Sequence, residues 1–226
     1  MTIRKISDSM NENAKCPFCY ELVGIPFYSD SKIGWYNRFI QNKNNIVYKG
    51  KHINIILDFS PLAIGHVLII PERHILSFCD ATDYEIFILL KVQKELRKYF
   101  EGKNTPVEFF EHGSGSKSSA ASVNHAHFHC IPTTESIMQK MNIKLRPLEK
   151  DIQSLKGEKG YLYIEDIHGS KYYNNENEIV SQYMKYAYSE LFHHNHYDWK
   201  TFSHDCTDIL NETLKVYSNF KICAEF

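Results

Sequence analysis

Hydrophobic and polar positions fall into two regimes along this chain. Up to about residue 132, short apolar runs alternate with turn residues. "NIVYKG" and "HINIILD" read as strands joined by a tight turn at Gly50 and Lys51, and "GHVLIIP" as a third strand ended by Pro71. The spacing then becomes helical: Thr82 and Glu85 have capping-box spacing, and Tyr84, Phe87, Ile88, Leu90 and Leu96 form a roughly helical apolar stripe. Two further strands are predicted in "PVEFFEH" and "VNHAHFHCIP", separated by the loop "GSGSKSSAAS". Strands in succession with one helix between them predict an α+β fold on an antiparallel sheet of about five strands, rather than alternating βα units.

From about Glu135 a polar, Lys-rich stretch leads to "GYLYIED" and "SKYYNN", a predicted hairpin turned at "IHGS". The amphipathic "EIVSQYMKYAYSELFHH" follows, and a last helix is predicted within "HDCTDILNETLKVY". The apolar content of this part is thin for an independent core. The expected organisation is a domain over residues 1–134 with a C-terminal α/β extension, 135–226, packed on it.

Composition narrows the class. The chain has 226 residues, 43% hydrophobic and 23% charged, which suits a globular protein with a sizeable core. A net charge of −1 supplies no basic field for nucleic acid or an acidic membrane, so neither is an expected partner and any anion must be bound locally. "MTIRKISDSMNENAKCPFC" lacks the apolar segment of a secretory signal, and no apolar stretch approaches membrane-spanning length. The expected location is cytoplasmic, where paired cysteines hold metal more often than they form disulfides.

The chemistry concentrates in two places. In "SVNHAHFHC", residues 122–130, an extended backbone turns His125, His127 and His129 to one face and Ala126, Phe128 and Cys130 to the other, a core face. The histidines could form a metal cage, a nucleophile with its helpers, or a wet face. "CPFC", with Cys16 and Cys19, reads as a zinc knuckle or a redox pair; no strand precedes it as a thioredoxin-like motif would require, which favours zinc. A structural tetrahedron needs two more ligands, and His74 and His125 are the candidates. Cys79, Cys130, Cys206 and Cys223 stand alone and read as small buried hydrophobes. With His125 on a metal, His127 is available as a nucleophile towards phosphorus and His129 could touch phosphate oxygens. The loop between Gly113 and Ser122 could close backbone N–H groups on an anion or be a plain linker.

The run from His125 to Ile131 resembles the H-φ-H-φ-H-φ-φ signature of the histidine triad (HIT) superfamily of nucleotide hydrolases and transferases. "CPFC", "ILDFSPLAIGHVLIIPERHI" and Ser122 match in the family's order, so the resemblance spans roughly residues 16–132. It implies a HIT-like nucleotide-binding fold in which His127 attacks an α-phosphate and forms a nucleotidyl-histidine intermediate. It further implies that the His125 carbonyl holds His127, that His129 and Ser122 contact phosphate or leaving group, and that Asp58 takes the ribose hydroxyls. Zinc-containing members, and similarly galactose-1-phosphate uridylyltransferase, imply a structural zinc on Cys16, Cys19, His74 and His125. Glu111 sits where compact members place an amide of the nucleotide site, and the extension has no counterpart in them; "HHNH" (His193, His194, His196) within it reads as a metal site or a solvated helix end. The expected protein is a homodimeric enzyme acting on a nucleoside phosphoanhydride, phosphoramidate or phosphosugar. Two alternatives are a metal-dependent hydrolase with all three strand histidines on one ion, and a nucleotide-binding module with little turnover.

Overall fold

Strands that are apolar at every position are covered on both faces, and the computed structural model shows what covers them. It describes residues 16–27, 33–114, 123–158, 160–176, 179–193 and 204–222. Eight strands form one sheet: β1 (Ile46–Lys49), β2 (Ile53–Leu57), β3 (Val67–Pro71), β4 (Val107–Ser114), β5 (Phe128–Pro132), β6 (Arg146–Pro147), β7 (Gly160–Glu165) and β8 (Lys171–Asn174). Their order is β1-β2-β3-β5-β4-β7-β8-β6, and every pair is antiparallel. Alternation then sorts the side chains. Ile53, Ile55, Leu57, Val67 and Ile69 enter the main core, whereas Ile56, Leu68 and Ile70 pack on the other face against Phe18 and Leu22 of α1 (Pro17–Leu22). A short helix, α2 (Asn37–Gln41), adds Phe39 and Ile40 to the main core.

The long helix α3 (Asp83–Glu101) begins as the sequence predicts. Thr82 Oγ1 accepts from the Glu85 N–H while Glu85 returns to the Thr82 N–H, a complete capping box. Its buried face differs from the predicted stripe: Ile86, Ile88, Leu89, Val92, Leu96 and Phe100 face the core, and Tyr84, Phe87 and Leu90 are exposed. The two sets share Ile88 and Leu96; the stripe that meets the core runs through Ile86, Leu89, Val92, Leu96 and Phe100, whereas Tyr84 and Phe87, spaced as regularly, lie on the flank that faces solvent.

The sheet has eight strands where about five were expected. The edge of β4 is taken by β7 over six residue pairs, from Phe109–Glu165 to Ser114–Gly160. Gly113 permits this, because a Cβ there would lie 2.2 Å from the Tyr161 ring crossing it. On the outer face α4 (Tyr183–Leu191) packs Met184, Ala187 and Tyr188 against Phe110, Ile131, Leu162 and Ile164. The last helix, α5 (Thr207–Val216), clamps the turn before β3: Thr213 Oγ1 accepts from the Gly65 N–H at 3.0 Å and Tyr217 donates to the Gly65 carbonyl at 2.8 Å. β5 is also shorter than predicted. Its ladder starts at Phe128, opposite Ile69, and upstream the Ala126 N–H donates instead to the Ile75 carbonyl. Among the described residues no helix is long and apolar enough to cross a membrane.

Because β7 and α4 complete the core of β4 and β5, the whole chain should unfold as one unit. Ile164→Ala, at a fully buried position, should cost about 2–5 kcal/mol. Calorimetry should show a single transition at lower temperature; a separate early transition for the C-terminal part would contradict the shared core.

Candidate active site

Four donors converge where α1, the exit of β3 and the approach to β5 meet. Cys16 Sγ lies 3.3 Å from His125 Nδ1, and Cys19 Sγ lies 3.4 Å from His74 Nδ1 and 3.5 Å from His125 Nδ1. All four donor atoms are within 4.8 Å of one another. Sulfur and nitrogen ligands on one tetrahedral zinc stand about 3.6 Å apart, from metal–ligand lengths near 2.3 and 2.05 Å, so the cluster is spaced for that ion. The hydrogen bond from Cys19, helped by His125, draws the Cys16 thiol down to about 3 despite burial, and the same bond raises Cys19. His125 Nε2 lies 3.1 Å from the Pro71 carbonyl, to which its proton donates. That bond fixes the tautomer with Nδ1 as the donor atom facing the sulfurs.

Two residues on, His127 Nδ1–H donates to the His125 carbonyl at 2.7 Å, leaving the Nε2 lone pair free. Burial lowers His127 to about 4, so the ring is neutral near pH 7. His129 is held differently: it stacks on Phe110 with ring centroids 4.2 Å apart, and its Nδ1 lies 2.9 Å from His66 Nε2. The proton positions follow from one further bond. The Leu62 N–H donates to His66 Nδ1 at 3.0 Å, so His66 Nε2 carries the proton given to His129 Nδ1, and His129 presents Nε2–H. Burial lowers His66 to about 3 and His129 well below its ordinary range, keeping both neutral. The site therefore holds one nucleophilic nitrogen beside one oriented donor, with no imidazolium.

Asp58 anchors the neighbouring wall and is 3% exposed. Oδ1 accepts the Ser60 N–H at 2.9 Å, and Lys185 Nζ of α4 pairs with Oδ2 at 2.7 Å and donates to the Ser60 carbonyl at 3.0 Å. Burial, the largest influence, works to raise the Asp58 carboxyl, but the Lys185 charge, His66 and the hydrogen bonds from Lys185 and the Ser60 N–H together outweigh it and hold it below its ordinary value. Asp58, His66 and His129 also group closely enough to share an ion; the Lys185 ammonium already supplies the cation there. The three strand histidines do not meet on one metal, since their Nδ1 atoms turn to a cysteine pair, a carbonyl and His66 respectively.

The structure thus brings Cys16, Cys19, His74 and His125 together, and His127 beside His129. Asp58, expected to take the ribose hydroxyls, is paired in the structure with Lys185 of α4. Glu111 is not brought to the triad: it points to the opposite face of β4, where it accepts from the Phe78 N–H at 2.9 Å and from the Tyr161 hydroxyl. Burial raises it to about 8. Ser122, Cys223, His194 and His196 lie outside the described residues, and His193 is exposed. His66, His112, Gln182 and Lys185 were not found from sequence. His66 carried a faint signal, one histidine inside an apolar strand run; Lys185 and Gln182 carried none.

Lys185→Met should leave Asp58 buried without a countercharge, costing about 3–5 kcal/mol near neutral pH. Since the folded pKa of Asp58 is depressed, the pair's contribution is complete above the unfolded value near 3.8 and is lost as pH falls through the folded value. Denaturant titrations from pH 7 downwards should show the two proteins converging in stability at acid pH, and the Asp58→Asn/Lys185→Met double variant should recover part of the loss.

Residues 40–136 match the HIT domain. The chain is 28% identical over 120 residues to an uncharacterised HIT-like protein of Methanocaldococcus jannaschii, covering 50% of this chain and 88% of that protein. It is 30% identical over 90 residues to Protein hit of Bacillus subtilis, covering 38% of this chain and 59% of that one. A solved structure, a zinc-bound histidine triad family protein from Mycobacterium smegmatis, is similar at TM-score 0.38 and 20% identity over 54% of this chain and 77% of its own. The match to the HIT domain spans residues 40–136 and takes in His125, His127 and His129, with the CxxC pair Cys16 and Cys19 lying ahead of it.

Proposed function

We propose that this protein is a nucleotide hydrolase or nucleotidyltransferase that attacks the α-phosphorus of its substrate through His127. The hydrogen bond from His127 Nδ1 to the His125 carbonyl carries the reading. It leaves Nε2 unprotonated, and when Nε2 bonds to phosphorus the positive charge developing on the ring is met by that carbonyl. His129, supported by His66 and stacked on Phe110, directs Nε2–H at a non-bridging phosphate oxygen and stabilises charge that grows in the transition state. Water or a second substrate then displaces the nucleotidyl group from His127. The neutrality of all three imidazoles at pH 7 supports a nucleophilic rather than an acid role for His127. Ribose recognition falls to groups other than a free Asp58 carboxylate while Lys185 is paired with it.

A zinc ion fits Cys16, Cys19, His74 and His125, where it would supply structural cross-linking of α1 to the sheet. Four protein donors fill a tetrahedron, so the role of these residues is to fix the His125 backbone, not to activate water. The reading carries the further expectation of a homodimer, which light scattering measures directly.

Two experiments test it. Mixing the protein with nucleoside polyphosphates, phosphoramidates and nucleotide sugars, quenching at mild alkaline pH and weighing it intact should reveal a nucleotide-sized adduct that His127→Ala lacks. Absence of both adduct and turnover across the panel would refute covalent catalysis. Elemental analysis should find about one zinc per chain; Cys16→Ser/Cys19→Ser should lose the metal and much of the stability, and loss of neither would remove zinc from the account.

A further inference from the structure

The His127 and His129 side chains open into a small, solvent-connected pocket whose far wall belongs to β4 and to the segment leading into α4. Two buried nitrogens in that wall have no hydrogen-bond partner among the described residues, His112 Nε2 and Gln182 Nε2. The His112 side chain is more than nine-tenths buried. It stands two residues beyond Phe110, which pairs with His129 across the β4–β5 ladder, so alternation turns it to the triad face. Burial first, and then the nearness of His127, lower His112 to about 4, which keeps it neutral beside the nucleophile. Gln182 holds a left-handed backbone, φ 70°, at the head of α4, three residues before Lys185. Buried nitrogens left unpaired are costly, and the Gln182 amide, always a donor, together with His112, a donor at Nε2 in its Nε2–H tautomer, marks where a ligand's acceptors would go.

We infer that His112 and Gln182 form a donor subsite for a second phosphate of the substrate, so that this HIT domain prefers a phosphoanhydride to a phosphoramidate. The inference deepens the proposed function and rests on His127 as the attacking group. Among the described residues lining this wall Lys185 is the one ammonium, and it is paired with Asp58, so the donors that His112 and Gln182 offer here are neutral ones. A phosphate, made of acceptor oxygens, fits it; the nitrogen of a departing amine, which brings N–H donors of its own, does not. In the transfer step His127 Nε2 bonds to the attacked phosphorus and the bridging P–O bond breaks. The departing phosphate leaves with the bonding pair, and its oxygens accept from His112 Nε2–H and the Gln182 amide. Neither residue gains or loses a proton, so both are donors to substrate, not acids or bases.

The test uses the full chain and inorganic pyrophosphate as probe, titrated by calorimetry. His112→Leu and Gln182→Leu should each weaken pyrophosphate binding about tenfold or more, as expected for deleting a hydrogen bond to a charged group. His112→Gln, which restores a donor, should recover part of the loss, and His127→Ala should still bind. Unchanged affinity in the folded leucine variants would overturn the subsite. A second measurement needs no variant: the native protein should show a higher kcat/KM for a nucleoside diphosphate than for the phosphoramidate of the same nucleoside, and the reverse order would overturn the preference. Pyrophosphate binding reports the subsite and the His127 adduct reports the nucleophile, so either can fail visibly without the other.

Discussion

The carbonyl of His125 can hold His127 only because the His125 ring is itself fixed at both nitrogens. Nδ1 faces the two cysteine sulfurs, Nε2 is bonded to the Pro71 carbonyl, and the backbone oxygen receives His127. One residue therefore joins the knuckle of α1, the end of β3 and the start of β5. The ladder between β3 and β5 begins only at Phe128, so the two residues that matter most chemically lie just outside regular pairing. Their geometry depends on this side-chain lattice, together with the backbone bonds from the His125 N–H to the Val123 carbonyl and from the Ala126 N–H to the Ile75 carbonyl. A metal in the cluster would tighten the lattice because it would tether α1 to the sheet through bonds far stronger than the packing of Phe18 and Leu22 alone.

Neutrality is the second organising property of the site. His66, His127 and His129 crowd together, and burial holds all three in the uncharged form. The chain of donors from the Leu62 N–H through His66 to His129 then fixes where each proton sits. A charged pair, Asp58 and Lys185, lies directly beside them and is nearly fully buried. Its two members cancel at short range, so it orients the wall without converting the histidines to cations. Such a pair is weak evidence for stability, because desolvation offsets much of the attraction; its consequence here is positional, since it holds the start of α4 against the triad pocket.

That placement changes what the C-terminal segment is. β7 continues the sheet beyond β4, α4 shares a core with Phe110 and Ile131, and α5 grips Gly65 just before His66. Residues outside the matched HIT segment, Gln182, Met184 and Lys185, line the pocket into which the triad opens. The C-terminal segment thus both extends the sheet beyond β4 and supplies the helix that brings Lys185 to the site.

The sequence by itself determined the periodic features and the local chemistry. Alternation in "HAHFHC" separates imidazoles from core side chains, Thr82 and Glu85 start a helix, and "CPFC" with His74 and His125 gathers four donors that could hold a metal ion. These are legible because each depends on spacing within a short stretch or on a donor set that few other arrangements satisfy. Only the tertiary structure decided the partners of Asp58, Glu111, His66 and His112. A carboxylate at a strand end looks the same whether solvent, ribose or Lys185 faces it, and Glu111 and His112 are adjacent in sequence yet turn to opposite faces of β4. Which face meets the triad is set by strand register across β4 and β5, and register is a property of pairing between distant segments that no local pattern encodes.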